Sequence, residues 1–382
     1  MAWILLLASC LTLYWIYDGY GRFLAVVVRV LDWRTNGPVP VMVADSDLPT
    51  LTVLLTVHNE EQTVVSRLQN LLACDYPEEK MQILVASDRS SDRTDELVES
   101  LGSPRIKCFR STGPGKTATQ NAALSLISSD IIVFTDAGTV FDRIFLKRIA
   151  NCFADTHVGG AAGYLLFDAL DPNANVCSQG YYWAYELKLR TLESRLGLLA
   201  VVAGAAFAAR RSLMLPMDPS VGEDCIVPLD VVSQGFRVVH ERRAIAHEQF
   251  GHDTGVTLRS RIRMTLRNWQ GTWSRPRLLN PLRNPGYAFA LWSHKLLRWL
   301  SPLFLVLAMA SATWLVVFQP GPLSWLAAVP FVGLFGMAGL GAMGQPVPGA
   351  GASFSFLMAN LAFSIGVLRA ICGNRVFSYR NV

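Results

Sequence analysis

Two carboxylates and a lysine stand where loops leave apolar strands in this 382-residue chain, and each is placed to do chemistry. In IIVFTDAGT, Ile131, Ile132, Val133 and Phe134 read as a fully buried strand, and Asp136 follows at its carboxyl end. Ligands of open α/β sheets bind at that edge, so an acid there either holds a metal or polar substrate or steadies its own turn. After MQILVAS comes SDRSSDRTDE, in which Asp92 with Thr94 and Asp95 has the pattern of a capped helix start. Asp88 precedes the cap and is free to accept a hydrogen bond from a ligand, the imide N–H of a uracil for example. His58-Asn59-Glu60-Glu61 follows an earlier strand, where acids also favour a helix N-terminus. In STGPGKTATQNAAL a Gly-Pro-Gly loop presents Lys116, either to a diphosphate or to solvent at a helix start. GPGKT is not a phosphate loop: that motif needs a glycine where Arg110 stands.

The elements that must hold these residues alternate. LTVLLTV, MQILVAS, RIKCFRS and DIIVFT read as strands; EEQTVVSRLQNLLAC, DRTDELVESL and KTATQNAALSLISS read as the helices between them. Short connections between alternating elements predict a mostly parallel sheet covered on both faces. FRVV and Ala244–His247 read as a late strand pair closing the domain, and AGAAFAARR as a strand or turn lining the site, with Arg210 and Arg211 structural or lipid-facing and not catalytic.

Hydrophobic residues make up 51% of the chain and mean hydropathy is +0.31, with the excess at the two ends. AWILLLASCLTLYWIY is about long enough to span a bilayer and has no basic leader, so it reads as an uncleaved anchor. Arg22, Arg29 and Arg34 follow it and place the downstream side in the cytoplasm. Apolar runs at 300–318, 323–343 and 353–371 predict three more membrane helices. Three full spans put the basic tail outside, against the positive-inside tendency, so one run is re-entrant or the tail is tolerated there. The net charge of +5 gathers near the apolar segments, which suits anionic lipid headgroups and not nucleic acid. Seven cysteines without a CxxC pair read as free thiols and exclude a zinc or disulfide framework.

The ordered set TVHNEE, ASDRSSDRT, GPGKTATQNAAL, VFTDAGT and VGEDCIVPLDVVSQGFRVV resembles the family 2 glycosyltransferases with the GT-A fold. YYWAYELKLRTLESRLGLLAVVAGAAFAARRSL is similar to the membrane-integrated subgroup of poly-N-acetylglucosamine, chitin, hyaluronan and cellulose synthases. The resemblance covers about residues 50–300 and implies an α/β GT-A nucleotide-diphospho-sugar transferase domain with a mostly parallel central sheet. It implies a UDP-sugar donor bound by Asn59, Glu60, Asp88, Lys116 and Asp136, with Asp136 as metal ligand for Mg²⁺ or Mn²⁺. In Gly222-Glu223-Asp224 it makes Asp224, with Glu223 beside it, the general base for the acceptor hydroxyl, so that one displacement inverts the sugar and leaves a β-linkage.

Two departures from that family pattern stand out. The metal motif reads Asp136-Ala137-Gly138, lacking its second carboxylate, so the cation relies on Asp136, diphosphate and water or borrows His247 or His252. The QxxRW signature of processive synthases is replaced by SRIRMTLRNWQGTWSR, which reads as an amphipathic interfacial helix. In the sharper reading of the same stretch, Arg267 and Trp269 bind the acceptor, with Trp269 or Trp273 stacking on a sugar.

The expected organisation is a membrane anchor and juxtamembrane segment at 1–34, a linker at 35–48, and a cytoplasmic catalytic domain at 49–256. Amphipathic interfacial helices at 257–297 and a transmembrane region at 298–382 complete it. Expected partners are a UDP-sugar, a glycan or lipid-linked acceptor, membrane lipids of the cell membrane, and an export or assembly protein. The competing reading, prompted by Gly138, is a catalytically impaired homologue serving as a membrane assembly or regulatory subunit.

Overall fold

The computed structural model of the chain describes residues 1–34, 42–168, 174–249 and 254–377. Among the described residues, eight strands form one sheet in the order β3-β2-β1-β4-β7-β6-β8-β5. They are β1 (Leu51–Val57), β2 (Met81–Ser87), β3 (Ile106–Arg110), β4 (Ile131–Thr135), β5 (Val140–Phe141), β6 (Val158–Asp168), β7 (Phe207–Arg210) and β8 (Arg237–Gln249). The half carrying β3, β2, β1 and β4 is parallel throughout, as the alternating pattern predicts. β7 then runs antiparallel to both β4 and β6, while β8 pairs parallel with β6.

β1, β2 and β4 are buried on both faces, which is why they read as nearly continuous apolar runs. Successive side chains take opposite faces: Val53, Leu55, Ile131 and Val133 fill one core, and Leu54, Ile132, Phe134 and Phe207 the other. The late strands form one long element instead of a pair. β8 runs unbroken from Arg237 to Gln249 and absorbs a bulge, since Gly163 pairs with Glu241 but Tyr164 with Ile245. The first helix is also shorter than its apolar spacing suggests, Val64–Leu72. Residues 60–63 are spent in a turn, with the amide N–H groups of Thr63 and Val64 both donating to the Glu60 carbonyl.

Among the described residues, four helices are long and apolar enough to cross a membrane: Ala2–Leu31, Ser301–Phe318, Pro322–Ala342 and Ala350–Ile371. The amino-terminal helix runs on through a π-helical turn, Trp15–Gly19. Its first half packs through Leu6 on Ala308, Ala312 and Leu315. Further on, Tyr20, Leu24 and Val28 pack on Leu189 and Leu192 of the helix Ala174–Arg195, so one helix grips both the apolar bundle and the α/β domain. Tyr17, Ser301 and Asn360 share hydrogen bonds of 2.7–3.4 Å where that bundle meets the domain.

The helix Thr254–Trp273 lies between the two regions. Ile262, Thr265, Leu266 and Thr272 are buried and Trp269 is half-buried, a stripe at helical spacing, while Arg259, Met264 and Trp273 are exposed. The expected amphipathic character is present. Its inward face packs on protein: a side chain at Gly366 of the last apolar helix would come within 2.7 Å of Thr265. Among the described residues the cysteines are free thiols.

Candidate active site

The site forms where the loops after β2, β3 and β4 meet the start of the helix Glu223–Ser233. Lys116 sits at the first turn of its own helix, behind Gly115, whose φ of 96° suits glycine. The Lys116 ammonium lies 2.6 Å from Asp136 Oδ1 and 2.5 Å from Glu223 Oε1. One cation thus bridges the acid after β4 to the acid that opens the Glu223–Ser233 helix, and three residues that the sequence motifs single out separately become one cluster. Glu223 is buried, and burial works against its charge. The neighbouring ammonium, which also hydrogen-bonds it, outweighs that and holds the carboxyl below its usual range.

Asp224 follows with the opposite shift. Burial and then the Glu223 charge push its carboxyl up to about 6, against the pull of Arg267, Lys116 and Arg190. Two adjacent acids are driven apart, one kept ionised and one poised near neutrality, which is the arrangement a proton-accepting group needs. Backbone space around them is tight. A side chain at Gly222 would meet Asp224 Oδ1, and one at Gly204 would come within 2.9 Å of Glu223 Oε1.

Asp88 is buried, and both its oxygens accept the Gly115 N–H, at 3.1 and 3.0 Å. It therefore anchors the Gly-Pro-Gly loop, with the Arg89 guanidinium also near at 3.6 Å from Oδ1, and a carboxylate has lone pairs beyond these for a ligand. His58 Nδ1 meets the Asp88 carbonyl oxygen at 2.8 Å, joining the loops after β1 and β2. Asn59 and Glu60 do the same work: Asn59 Oδ1 accepts the Ser91 N–H at 2.8 Å, and the Glu60 N–H donates to Thr94 Oγ1 at 2.8 Å. Asp92 caps the following helix, accepting from the Thr94 N–H and hydroxyl.

Arg267 reaches the same cluster from the helix Thr254–Trp273. Its guanidinium donates to the carbonyls of Ser220 and Val221 and to Thr117 Oγ1, at 3.2, 2.8 and 2.8 Å. Trp269 stands in an aromatic group, with ring centroids 5.9 Å from Trp273 and 6.1 Å from Trp299. Arg210 and Arg211 bond backbone carbonyls away from the cluster, in the structural role their positions suggest.

One acid was not singled out by motif. Glu248, near the end of β8, is pushed up to about 7 by burial and then by the charge of Asp136, with Lys116 opposing. The signal was weak: Glu248 is a carboxylate near the end of a strand, but of a strand rich in charged residues, unlike the apolar run before Asp136. His247, its neighbour, points to Asp142, 3.5 Å from Oδ1, because adjacent strand residues face opposite ways. His252 lies outside the described residues.

The donor set suits a hard cation that keeps water and phosphate oxygens. Among the described residues no group of three His, Cys, Asp or Glu could hold a metal by itself. Asp136, with Glu248 near it, offers the one or two carboxylates through which Mg²⁺ is commonly held beside substrate phosphates. Lys116 already occupies a cation's place on Asp136, so positive charge at that oxygen is what the pocket favours.

Residues 52–215 match the family description "Glycosyl transferase family 2", so the chain carries a family 2 glycosyltransferase domain. A probable glycosyltransferase of Bacillus subtilis, YdaM, is 23% identical over 286 residues, 69% of this chain and 63% of that protein. An N-acetylglucosaminyltransferase of Rhizobium leguminosarum bv. viciae is 26% identical over 242 residues, 59% of this chain and 57% of its own. A poly-beta-1,6-N-acetyl-D-glucosamine synthase of Staphylococcus aureus is 28% identical over 156 residues, 40% of this chain and 36% of its own. The chain thus spans less than two thirds of the length of these curated relatives. Among solved structures, the mannosyltransferase PcManGT from Pyrobaculum calidifontis in complex with GDP-Man and Mn2+ superposes with a TM-score of 0.73 at 18% identity. That likeness covers 96% of this chain and 99% of PcManGT, and the fold is GT-A-like, with the apolar helices included in the match.

Proposed function

We propose that the chain is a membrane-bound inverting glycosyltransferase that moves a sugar from a UDP-sugar to a hydroxyl of a glycan or lipid-linked acceptor. The observation that carries this is Asp224, pushed up to about 6 beside a Glu223 that Lys116 ties to Asp136. The arrangement gives a proton acceptor and a place for a leaving diphosphate within one cluster. Asp224 takes the proton from the acceptor hydroxyl as its oxygen attacks the anomeric carbon. The C–O bond to the diphosphate breaks on the opposite face, and an α-linked donor gives a β-linked product. Lys116 and the Gly115–Lys116 helix start stabilise the negative charge that gathers on the diphosphate. Asp88, with lone pairs beyond its bond to Gly115, accepts from the uracil. Bound at Asp136 with Glu248, Mg²⁺ or Mn²⁺ would supply further charge stabilisation at the leaving group. Trp269, beside Trp273, offers an aromatic face for an acceptor sugar. The catalytic domain sits on the cytoplasmic side, where nucleotide sugars are available.

The name of the Staphylococcus aureus relative supports a glycan acceptor, and PcManGT's bound Mn2+ supports a divalent cation. The direct test is purified protein in nanodiscs with Mn²⁺ and a panel of radiolabelled UDP-sugars, with GDP-mannose alongside and product length analysed. Transfer from a UDP-sugar supports the reading; turnover of GDP-mannose alone overturns the donor assignment. No turnover of any donor, with UDP still bound, favours the impaired-homologue reading that Gly138 suggests.

Two substitutions probe separate parts. Asp136→Ala is expected to weaken Mn²⁺-dependent UDP binding at least tenfold in calorimetry, and equal affinity with and without Mn²⁺ in both proteins would remove the metal role. Trp269→Ala is expected to raise the acceptor KM several-fold while donor hydrolysis holds steady, since stacking contributes about 1 kcal/mol. Equal losses in both would assign Trp269 to packing alone.

A further inference from the structure

We propose that Arg267 is a positioning residue for the general base, locking the segment before Glu223-Asp224 to the helix that runs beside the membrane bundle. This inference rests on Asp224 as the base and adds how that base is held.

The geometry is a closed set of bonds. Arg267 Nη2 donates to Thr117 Oγ1 and to the Val221 carbonyl, both at 2.8 Å, and Nε donates to the Ser220 carbonyl at 3.2 Å. Thr117 Oγ1 donates in turn to the same Val221 carbonyl at 2.9 Å. Val221 is followed by Gly222, whose carbonyl accepts the Cys225 and Ile226 N–H groups and so sets the first turn that carries Asp224. One guanidinium therefore fixes the loop that aims the base and the helix start that presents Lys116. A planar five-donor group can do this, and a lysine cannot.

The helices also touch where they cross. A side chain at Gly271 would come within 2.6 Å of Val221 Cγ1 and 2.9 Å of Cys225 Sγ, one turn beyond Arg267. On the far side, Gly366 of the last apolar helix presses on Thr265 of the same helix. The helix Thr254–Trp273 therefore packs on both the last apolar helix and the segment that carries Asp224.

Electrostatics give a readout that packing alone would not move. The charges facing Asp224 are Glu223, which raises its proton affinity, and Arg267, Lys116 and Arg190, which lower it. Removing the Arg267 charge leaves the carboxyl more basic; replacing it by lysine keeps the charge and loses the fork.

The test titrates the Asp224 carboxyl by difference infrared spectroscopy on the full chain in nanodiscs. The band is assigned by its loss in Asp224→Asn, so no substrate is needed. Arg267→Gln is expected to move the midpoint up by about one pH unit, within the range a nearby opposite charge produces. Arg267→Lys should leave it close to the parent value. With the donor found in the panel, kcat should fall about tenfold or more in both variants, with donor KM changing less than threefold. An unchanged midpoint in Arg267→Gln, or parent kcat in Arg267→Lys, overturns the positioning role. Parent activity in Asp224→Asn instead overturns the base assignment, so the two failures are distinguishable.

Discussion

Asp224→Asn is expected to lower glycosyl transfer by about 10²–10⁴-fold, the range a positioned general base contributes, while the affinity for UDP stays within about twofold. The amide fits the same space and can still hydrogen-bond the acceptor oxygen, but it has no lone pair basic enough to take the proton. Burial and the Glu223 charge push the Asp224 carboxyl up to about 6, so the parent enzyme carries a pH signature as well. Below that value the acid is protonated and kcat should fall about tenfold per pH unit; above it the base is ionised and kcat should level off. In Asp224→Asn this limb should disappear from the residual rate. Transfer at the parent rate, or an unaltered limb, would remove Asp224 from the role. UDP affinity is the control, because Asp88, Lys116 and Asp136 remain in place.

The site was legible in the sequence to the extent that it depends on strand ends. Asp88 and Asp136 each follow an apolar strand that the sheet buries on both faces, so the position of each acid follows from topology. The convergence of Lys116 on both Asp136 and Glu223 was not legible, because these residues lie far apart in the chain and meet through β7 and the Glu223–Ser233 helix. Glu248 was overlooked for a related reason. The histidines around it are the more familiar metal ligands, but the two-residue period of a strand sends His247 to Asp142 and leaves Glu248 within electrostatic reach of Asp136. Arg267 and its neighbours at alternating positions read as a charged face of an interfacial helix. Only the crossing over Val221 shows that this arginine turns inward to carbonyl groups. The late strand pair failed as an expectation because a bulge is invisible to alternation: residues 242–244 add length to β8 without ending it.

The largest expected loss of stability lies away from the reaction, at the junction between the amino-terminal helix and the catalytic domain. Glu186 is buried and accepts from His294 Nε2 at 2.9 Å, Lys295 Nζ at 2.6 Å and Arg298 Nη1 at 2.8 Å, with Arg190 at 3.3 Å. Glu193 Oε1 takes the other nitrogen of His294 at 2.7 Å and the Tyr20 hydroxyl at 2.9 Å. Both ring nitrogens of His294 therefore lie against carboxylates, one from each of Glu186 and Glu193. Burial opposes the Glu186 charge, but His294, Lys295 and Arg190 hold its carboxyl well below the usual range. Its stabilising contribution is thus fully present above the ordinary glutamate value, about 4.3, and is lost only as pH falls through the depressed folded value. Near neutrality stability should be insensitive to this group in the parent. Glu186→Gln keeps the shape and removes the charge that His294, Lys295, Arg190 and Arg298 share, while Glu193 stays on His294. Removing one partner from buried charge pairs costs about 3–5 kcal/mol, comparable to much of a domain's net stability. Denaturant unfolding in detergent at pH 7 should show that loss, and a change below about 1 kcal/mol would mean the network is neutral to folding. The Glu186 carboxylate joins the helix Ala174–Arg195 to the segment Leu291–Leu296, so the same variant should also loosen the amino-terminal helix that packs on both, exposing residues 1–34 to protease before the sheet unfolds.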